Sequence, residues 1–437
     1  MNDIIIKTTD KNFVNHAGLS FIAIFLNDSR ISDRINIISK IKKKSGVISD
    51  YDIVKTYIAL ICLGKTNFDD VEQYRNDRYF KKALKLKTVP SAPIMRQRLE
   101  KYGEEMWTAL RLINLEIVKP YFSGESTEVD GKQYIILESD VTPFDNSYTQ
   151  KEGVARTYKN FFGFAPMMSY AGSSGFMINN ELRNGDAHSN CPGTDKYFAE
   201  TINLAKELGS YPLLSIMDSG NDDAKLISQF VDQGTEFIIK RNLRREPLNK
   251  YINYAKDNYE LKRVDEKTGR TTYYVRMERQ VEDRQIPIAV VVTEITMDYK
   301  TQQPYLIPNY EVDVYWNSLN LRADIVEEQY HKHGTSEQYH SEFKTDLDME
   351  RLPSGKFSSN YTIMLFGMIA FNFLRITGKQ LLATGMVPGV RRGKRLRVKT
   401  VLLNIMYMAG QYIEHARQSV LSIFMGNPWT PSFVLIN

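Results

Sequence analysis

Between residues 46 and 120, apolar positions recur at helical spacing. SDYDIVKTYIALICLG predicts a helix with Ser49 or Asp50 as its N-cap and Gly64 as its stop. NFDDVEQYRNDRYFKKAL and SAPIMRQRLEKYGEEMWTALRLINLEIV predict further helices, the second capped by Ser91. Ahead of them, KNFVNHAGLSFIAIFLND reads as strand and turn, and RINIISKIKKK as a basic stretch. From residue 131 the period shortens. GKQYIILESD reads as a strand ending in acids, and FGFAPMMSYAGSS and GFMINNELRNG as two more strands with Gly at their ends. TDKYFAETINLAKELG is an amphipathic helix stopped by Gly209. YPLLSIMDSG is a strand ending on Asp, DAKLISQFVDQG a helix stopped by Gly234, and EFIIKRN a further strand.

That order, three strands then helix, strand, helix and strand, resembles a ribonuclease-H-like α/β domain. Such domains place acids at strand ends near the middle of the sheet. Residues 241–325 interrupt it with alternating β-branched and aromatic runs, TTYYVRMERQ, IPIAVVVTEI and YEVDVYWNSL, and a turn signal at Thr268-Gly269. They predict an inserted β-rich subdomain. YHKHGTSEQYHSEFK then reads as helix, on which Glu337 and Lys344, seven apart, share one face. FSSNYTIMLFGMIAFNFLRI and TVLLNIMYMAGQYIEHARQSVLSIF read as long apolar helices around a basic link from Val390 to Lys399.

Composition narrows this little. A chain of 437 residues with 42% hydrophobic positions has room for two to three domains and a large core. A net charge of +5, from 57 basic and 52 acidic residues, is too mild to identify a nucleic-acid protein. Cys62 and Cys191 sit in no zinc pattern and argue against a disulfide framework. The first residues carry scattered charges and no signal-peptide core. The apolar run Tyr361 to Leu374 is shorter than a typical membrane span. These features make the cytoplasm the expected location and a membrane partner unexpected.

The candidate chemistry lies in three carboxylates: Asp140 and Asp218 at strand ends, and Glu337 on the late helix. An unpaired buried carboxylate is costly, and a divalent cation removes that cost. Oxygen ligands suit Mg²⁺ or Mn²⁺, and a pair of such ions can serve a phosphodiester. A strand-end Asp is also a common turn residue. His188 reads as a surface-loop residue, Glu138 as a salt-bridge partner, and Glu342 as the fallback for Glu337.

Several ordered motifs between about residues 45 and 420 resemble the group-one Asp-Asp-Glu transposases of bacterial insertion sequences. Tyr330-x2-His333-x3-Glu337-x6-Lys344 is similar to the family's Tyr-x2-Arg-x3-Glu-x6-Lys signature, with His333 in place of Arg. LESDVTPFDNSYTQKEG resembles the first-Asp segment, with Lys151 separating Gln150 from Glu152. LLSIMDSGNDDAKLI resembles the second, with Asp222 or Asp223 left to cap the next helix. LRNG (Leu182 to Gly185) stands for a family Leu-Arg-Pro-Gly, and ERLPSGKFSSN resembles the closing Arg-Leu-Pro…Phe-x-x-Asn helix.

The resemblance implies an α/β fold with a ribonuclease-H-like catalytic core. It sets a mostly helical DNA-binding domain over 1–125, the core over 126–240 and 326–378, the β-rich insertion over 241–325 and a C-terminal helical region over 379–437. It implies that Asp140, Asp218 and Glu337 hold Mg²⁺ or Mn²⁺, and that Tyr330, His333 and Lys344 contact phosphates, with Lys332 supplying charge beside His333. Arg96 and Arg98 become candidate contacts of a recognition helix, against a solvated face. Trp316 becomes a candidate base-stacking residue, against a core Trp. Lys240 and Arg241 become candidates to line a DNA channel. The implied partners are double-stranded DNA, at inverted-repeat ends and target, and a second copy of the chain, with cut-and-paste chemistry through a hairpin end. The rival readings are a nuclease or integrase of the same fold without end pairing, and a catalytically silent DNA-binding descendant.

Overall fold

The structure, a computed structural model, describes residues 7–9, 11–38, 48–332, 334, 336–389, 395–415 and 418–436, the side chain of Ser336 excepted. His333 and residues 390–394 of the basic link therefore lie outside the described residues. The chain divides into two compact units. One comprises residues 1–118, 149–152 and 341–437, the other 119–148 and 153–340.

The first unit begins with β1 (Phe13–Val14), α1 (Leu19–Leu26), α2 (Ser29–Ile38), α3 (Asp50–Cys62), α4 (Arg78–Ala83), α5 (Ala92–Leu99) and α6 (Glu104–Val118). α1 corrects the strand-and-turn expectation. Its run of apolar residues is buried as a helix, with Phe25 stacked on Phe373 at 5.0 Å between ring centroids. α3 starts as its sequence predicts. The Ser49 hydroxyl accepts from the Asp52 amide and the Asp52 carboxylate accepts from the Ser49 amide, a reciprocal cap whose loss costs about 1 kcal/mol.

The second unit carries β2 (Thr127–Val129), β3 (Lys132–Val141), β4 (Phe144–Asp145), β5 (Ala155–Arg156), β6 (Phe162–Phe164), β7 (Met167–Ala171), β8 (Phe176–Glu181), α7 (Thr194–Lys206), β9 (Leu213–Met217), α8 (Ala224–Asp232) and β10 (Glu236–Lys240). It continues through α9 (Leu248–Asn258), β11 (Leu261–Asp265), β12 (Arg270–Val281), β13 (Arg284–Met297), β14 (Pro304–Asn317), α10 (Ala323–Lys332) and α11 (Ser336–Ser341). Ten strands form one mixed sheet in the order β11-β12-β13-β14-β10-β9-β3-β7-β8, with β2 beside β3. β3, β9 and β10 run parallel, and the other neighbours are antiparallel. Strands β11 to β14 thus extend the central sheet through the β14–β10 ladder. α10 covers one sheet face, burying Ala323 and Val326 against Leu214, Ile216, Ile238, Ala289 and Tyr315. On β10, Phe237 faces Phe230 of α8, which packs edge-on against Phe198 of α7.

The chain then returns to the first unit. α12 (Phe357–Ala383) is long and apolar enough to cross a membrane, but its apolar window is wholly buried. A helix apolar on all sides needs such a surround. Its polar residues are paired: Trp107 donates to Thr362 at 2.9 Å, and Asn372 donates to Asn114 at 2.7 Å. Glu152, from the short 149–152 stretch, caps its start, accepting from the Phe357 amide at 3.1 Å and pairing with Lys356 at 2.7 Å. Beyond it, the expected second long apolar helix is not formed. The chain makes one short helical segment ending at Met406 and then the hairpin β15 (Gly410–His415) and β16 (Gln418–Ile423), with β15 pairing to β1.

Candidate active site

β3 and β9 pair in parallel with a constant offset, Ile135 opposite Leu213 (213 − 135 = 78) through Glu138 opposite Ile216. Two residues further the same offset sets Asp140 level with Asp218 (140 + 78 = 218), whose backbone is still extended at φ −76 and ψ 176. Residues opposite one another on neighbouring strands point to the same face, so both carboxylates project on the face that carries α10. Each is oriented locally. Asp140 Oδ1 accepts from the Val141 amide at 2.7 Å, and Asp218 Oδ1 accepts from the Gly220 amide and Asn221 Nδ2, each at 3.0 Å. Both are half-buried.

The β9–β10 offset (239 − 217 = 22) brings Lys240 to the same level, directly opposite Tyr315 on β14. Its ammonium pairs with Asp313 at 2.7 Å and lies 5.7 Å from the Tyr330 ring centre. Tyr330, on α10, packs its ring 4.9 Å from Tyr315. Burial, and then the charges of Asp218, Asp313 and Asp140, push its phenol up to about 12. Tyr158 shows the same signature. Its hydroxyl donates to the Val141 carbonyl at 3.2 Å, and burial followed by the charges of Asp140 and Asp218 pushes it up to about 12. Sequence reading did not select Tyr158. Its signal was the interleaving of basic and aromatic residues in ARTYKNFF, just after the first-Asp segment.

Glu337 is not brought into this pair. Among the described residues no three His, Cys, Asp or Glu side chains lie where they could hold one metal ion. The same-face inference from Glu337 to Lys344 needs one uninterrupted α-helix. Instead α10 ends at Lys332, α11 begins at Ser336, and a π-turn takes over from Glu342 to Asp346. Glu337 is exposed on the first turn of α11. The end of that helix is firmly seated: Tyr339 donates to the Ser173 carbonyl at 3.3 Å, and His340 Nδ1 lies 2.9 Å from the Thr142 hydroxyl, two residues past Asp140. Glu342, the fallback, is only 1% exposed and is held by Arg375, Arg395 and the Val398 amide, so it is a structural clamp in the first unit.

Most other predicted DNA contacts are engaged within the protein. Trp316 is 4% exposed, donates to Asp222 at 2.7 Å and carries the Arg241 guanidinium 4.7 Å over its ring. It is a core residue and offers no face to a base. Asp222 is therefore an indole acceptor, while Asp223 caps α8. Arg241 is buried against Glu246 and Tyr251, which removes it from a channel wall. Arg98 is locked to Asp50 at 2.8 Å beside the Ile48 carbonyl, which removes it from a recognition surface. Arg96 stays exposed but pairs with Asp69 at 2.9 Å. Lys332 pairs with Glu328 at 2.7 Å, and Lys344 with Glu350 at 2.9 Å.

Two carboxylates thus stand level on adjacent parallel strands, with the phenols of Tyr158 and Tyr330 near enough to feel their charge. Residues 2–437 match the family described as Transposase DDE domain group 1, and the chain belongs to that family. It is by that membership a DNA transposase. Among solved structures it is similar to the piggyBac transposase synaptic complex with hairpin DNA, at 12% identity and a TM-score of 0.43, over 90% of this chain and 80% of that one. A likeness so distant assigns no role to any residue here. Among curated proteins, none matches the sequence.

Proposed function

We propose that this transposase acts for a bacterial insertion sequence, binding its terminal inverted repeats and performing cation-dependent strand cleavage and strand transfer by cut-and-paste, through a hairpin on the element end. The observation that carries the reading is the shared level of Asp140 and Asp218 on adjacent parallel strands. The central order β8-β7-β3-β9-β10, with β3, β9 and β10 parallel, supports a ribonuclease-H-like core.

The donor set fits Mg²⁺ or Mn²⁺, since two half-exposed carboxylates on one face offer hard oxygen ligands. When bound, such a cation supplies positive charge at the scissile phosphate and eases deprotonation of the attacking hydroxyl. Asp140 and Asp218 would hold it, and their local hydrogen bonds keep them aimed. Tyr158 and Tyr330 remain protonated at neutral pH, and the Tyr158 O–H is spent on the Val141 carbonyl, which fixes its ring beside the acids. Lys240 supplies a positive charge whenever phosphate displaces Asp313. Glu337, exposed on α11, is the proposed third carboxylate, recruited when DNA and cation are both present. A homodimer on two DNA ends is the proposed assembly.

The test is cleavage of a labelled duplex carrying the flanking inverted repeat, with Mg²⁺ or with chelator. Asp140→Asn and Asp218→Asn should each lower cleavage by at least about a hundredfold while DNA binding persists. Glu337→Gln should do the same. Undiminished cleavage in Glu337→Gln removes that residue from the site, and undiminished cleavage in both Asp variants overturns the reading. Binding without cleavage by the unaltered protein favours the silent DNA-binding alternative.

A further inference from the structure

The cations singled out in the described sequence are nearly all neutralised by a neighbouring acid, and the aromatic expected to stack is buried. An exposed aromatic that does lie beside the acid pair is Tyr158, on the β5–β6 hairpin that also carries Arg156, Lys159 and Phe162. There Tyr158 is 50% and Phe162 52% exposed. Arg156 and Lys159 are exposed, and among the described residues neither makes an ion pair. The Lys159 ammonium sits 5.9 Å from the Tyr158 ring centre. The one carboxylate in the adjoining β4 strand, Asp145, is taken up by the Ser147 amide and hydroxyl.

The hairpin is braced on several sides. Its loop is closed by the Thr157 amide donating to the Phe161 carbonyl at 2.8 Å, and β6 pairs with β4 as well as β5. The chain at Gly185 passes so near that an added Cβ would lie 2.1 Å from the Gly163 oxygen and 2.3 Å from the Ala155 oxygen. Tyr158 is tied to the strand end next to Asp140 through the Val141 carbonyl. Half-exposed rings that are already held in place cost little entropy when they stack.

We propose that the β5–β6 hairpin is a platform for an unpaired DNA strand at the cleavage site, with Tyr158 and Phe162 stacking on its bases and Arg156 and Lys159 binding its phosphates. This rests on the transposase reading of the acid pair. Bases in a duplex are already stacked, so exposed aromatic faces favour a strand that has been opened. The two cations offset the repulsion that Asp140 and Asp218 exert on a phosphate chain. The hairpin thus steers one strand across the carboxylates.

The experiment uses the full chain and a labelled single-stranded oligonucleotide of about 20 nucleotides, with the matching duplex alongside. Tyr158→Ala and Phe162→Ala should each weaken single-strand binding roughly tenfold, and duplex binding less. Tyr158→Phe should retain single-strand affinity. Arg156→Ala and Lys159→Ala should each reduce the salt dependence by about one phosphate contact. Melting temperatures of the alanine variants should match the parent protein. The platform is overturned if both aromatic variants bind single strand like the parent. It is also overturned if Tyr158→Phe loses as much as Tyr158→Ala, because the hydroxyl's tie to Val141 would then explain the effect. A parent protein that binds neither probe overturns the DNA reading itself, a different result from either of these.

Discussion

Trp316 shows what a single side chain can and cannot do here. Its indole is buried, hydrogen-bonded to Asp222 and covered by Arg241. Trp316→Ala should therefore cost about 3–5 kcal/mol of stability in urea unfolding. DNA binding per folded molecule should be unchanged, and a selective loss of binding at full stability would restore the stacking role. Tyr158 and Tyr330 make a second residue-scale prediction. Their phenols are raised to about 12, by burial first and by the neighbouring carboxylates second. An unfolded tyrosine titrates near about pH 10. The folded state holds these protons longer, so their contribution to stability is full below about pH 10 and is lost as pH rises through the folded value. In an alkaline titration followed by phenolate absorbance, Tyr158→Phe and Tyr330→Phe should each remove one late-titrating group. Removal of a group titrating near about pH 10 would show that neither burial nor the acids raise the phenol.

At the scale of elements, the seat of α11 is the feature with most consequence. Gly175 has φ +66, and an added Cβ would meet the Tyr339 ring at 2.3 Å. Gly175→Ala should unseat Tyr339 and loosen the helix that carries Glu337. We expect cleavage to fall by about tenfold or more with DNA affinity preserved, as for a displaced metal-ligand support. Single-turnover cleavage measured beside binding separates the two. Unchanged cleavage would count against Glu337 as the proposed third carboxylate. Elsewhere the local signals worked where a segment's own pattern sets its conformation. The Ser49–Asp52 cap, the Asp223 cap and the strands around Asp140 and Asp218 all appear where their patterns predict. They failed where the partner is remote. β15 and β16 are strands and not helix, because β15 finds β1 some four hundred residues earlier in the chain.

On the scale of the molecule, each unit is assembled from separated stretches. The second is nearly continuous, whereas the first needs both ends of the chain, since α3 and α6 pack on α12. A fragment spanning 119–340 should unfold cooperatively in thermal denaturation. A fragment spanning 1–118 should not, because the buried faces of α3 and α6 would be left in water. A cooperative transition in the shorter fragment would show that its helices need no α12. Net charge predicts little at this scale. The +5 excess is small, so DNA contact must depend on where unpaired cations sit.

The sequence by itself determined the helices between residues 46 and 120, the acids at strand ends, the family resemblance and the caps. Each depends on local chemistry: periodicity, turn residues and short spacings. Only the tertiary structure decided that Asp140 and Asp218 stand level, because strand register is a property of two segments and not of either one. It alone showed that Trp316, Arg98, Arg241 and Glu342 are spent on internal partners, since a charged or aromatic residue reads alike in sequence whether it faces solvent or a buried counter-group. It alone exposed Tyr158 beside the acids, through a hairpin that folds back over the end of β3. Where a side chain's partners lie far along the chain, its role is set by packing, and packing is not written in any one segment.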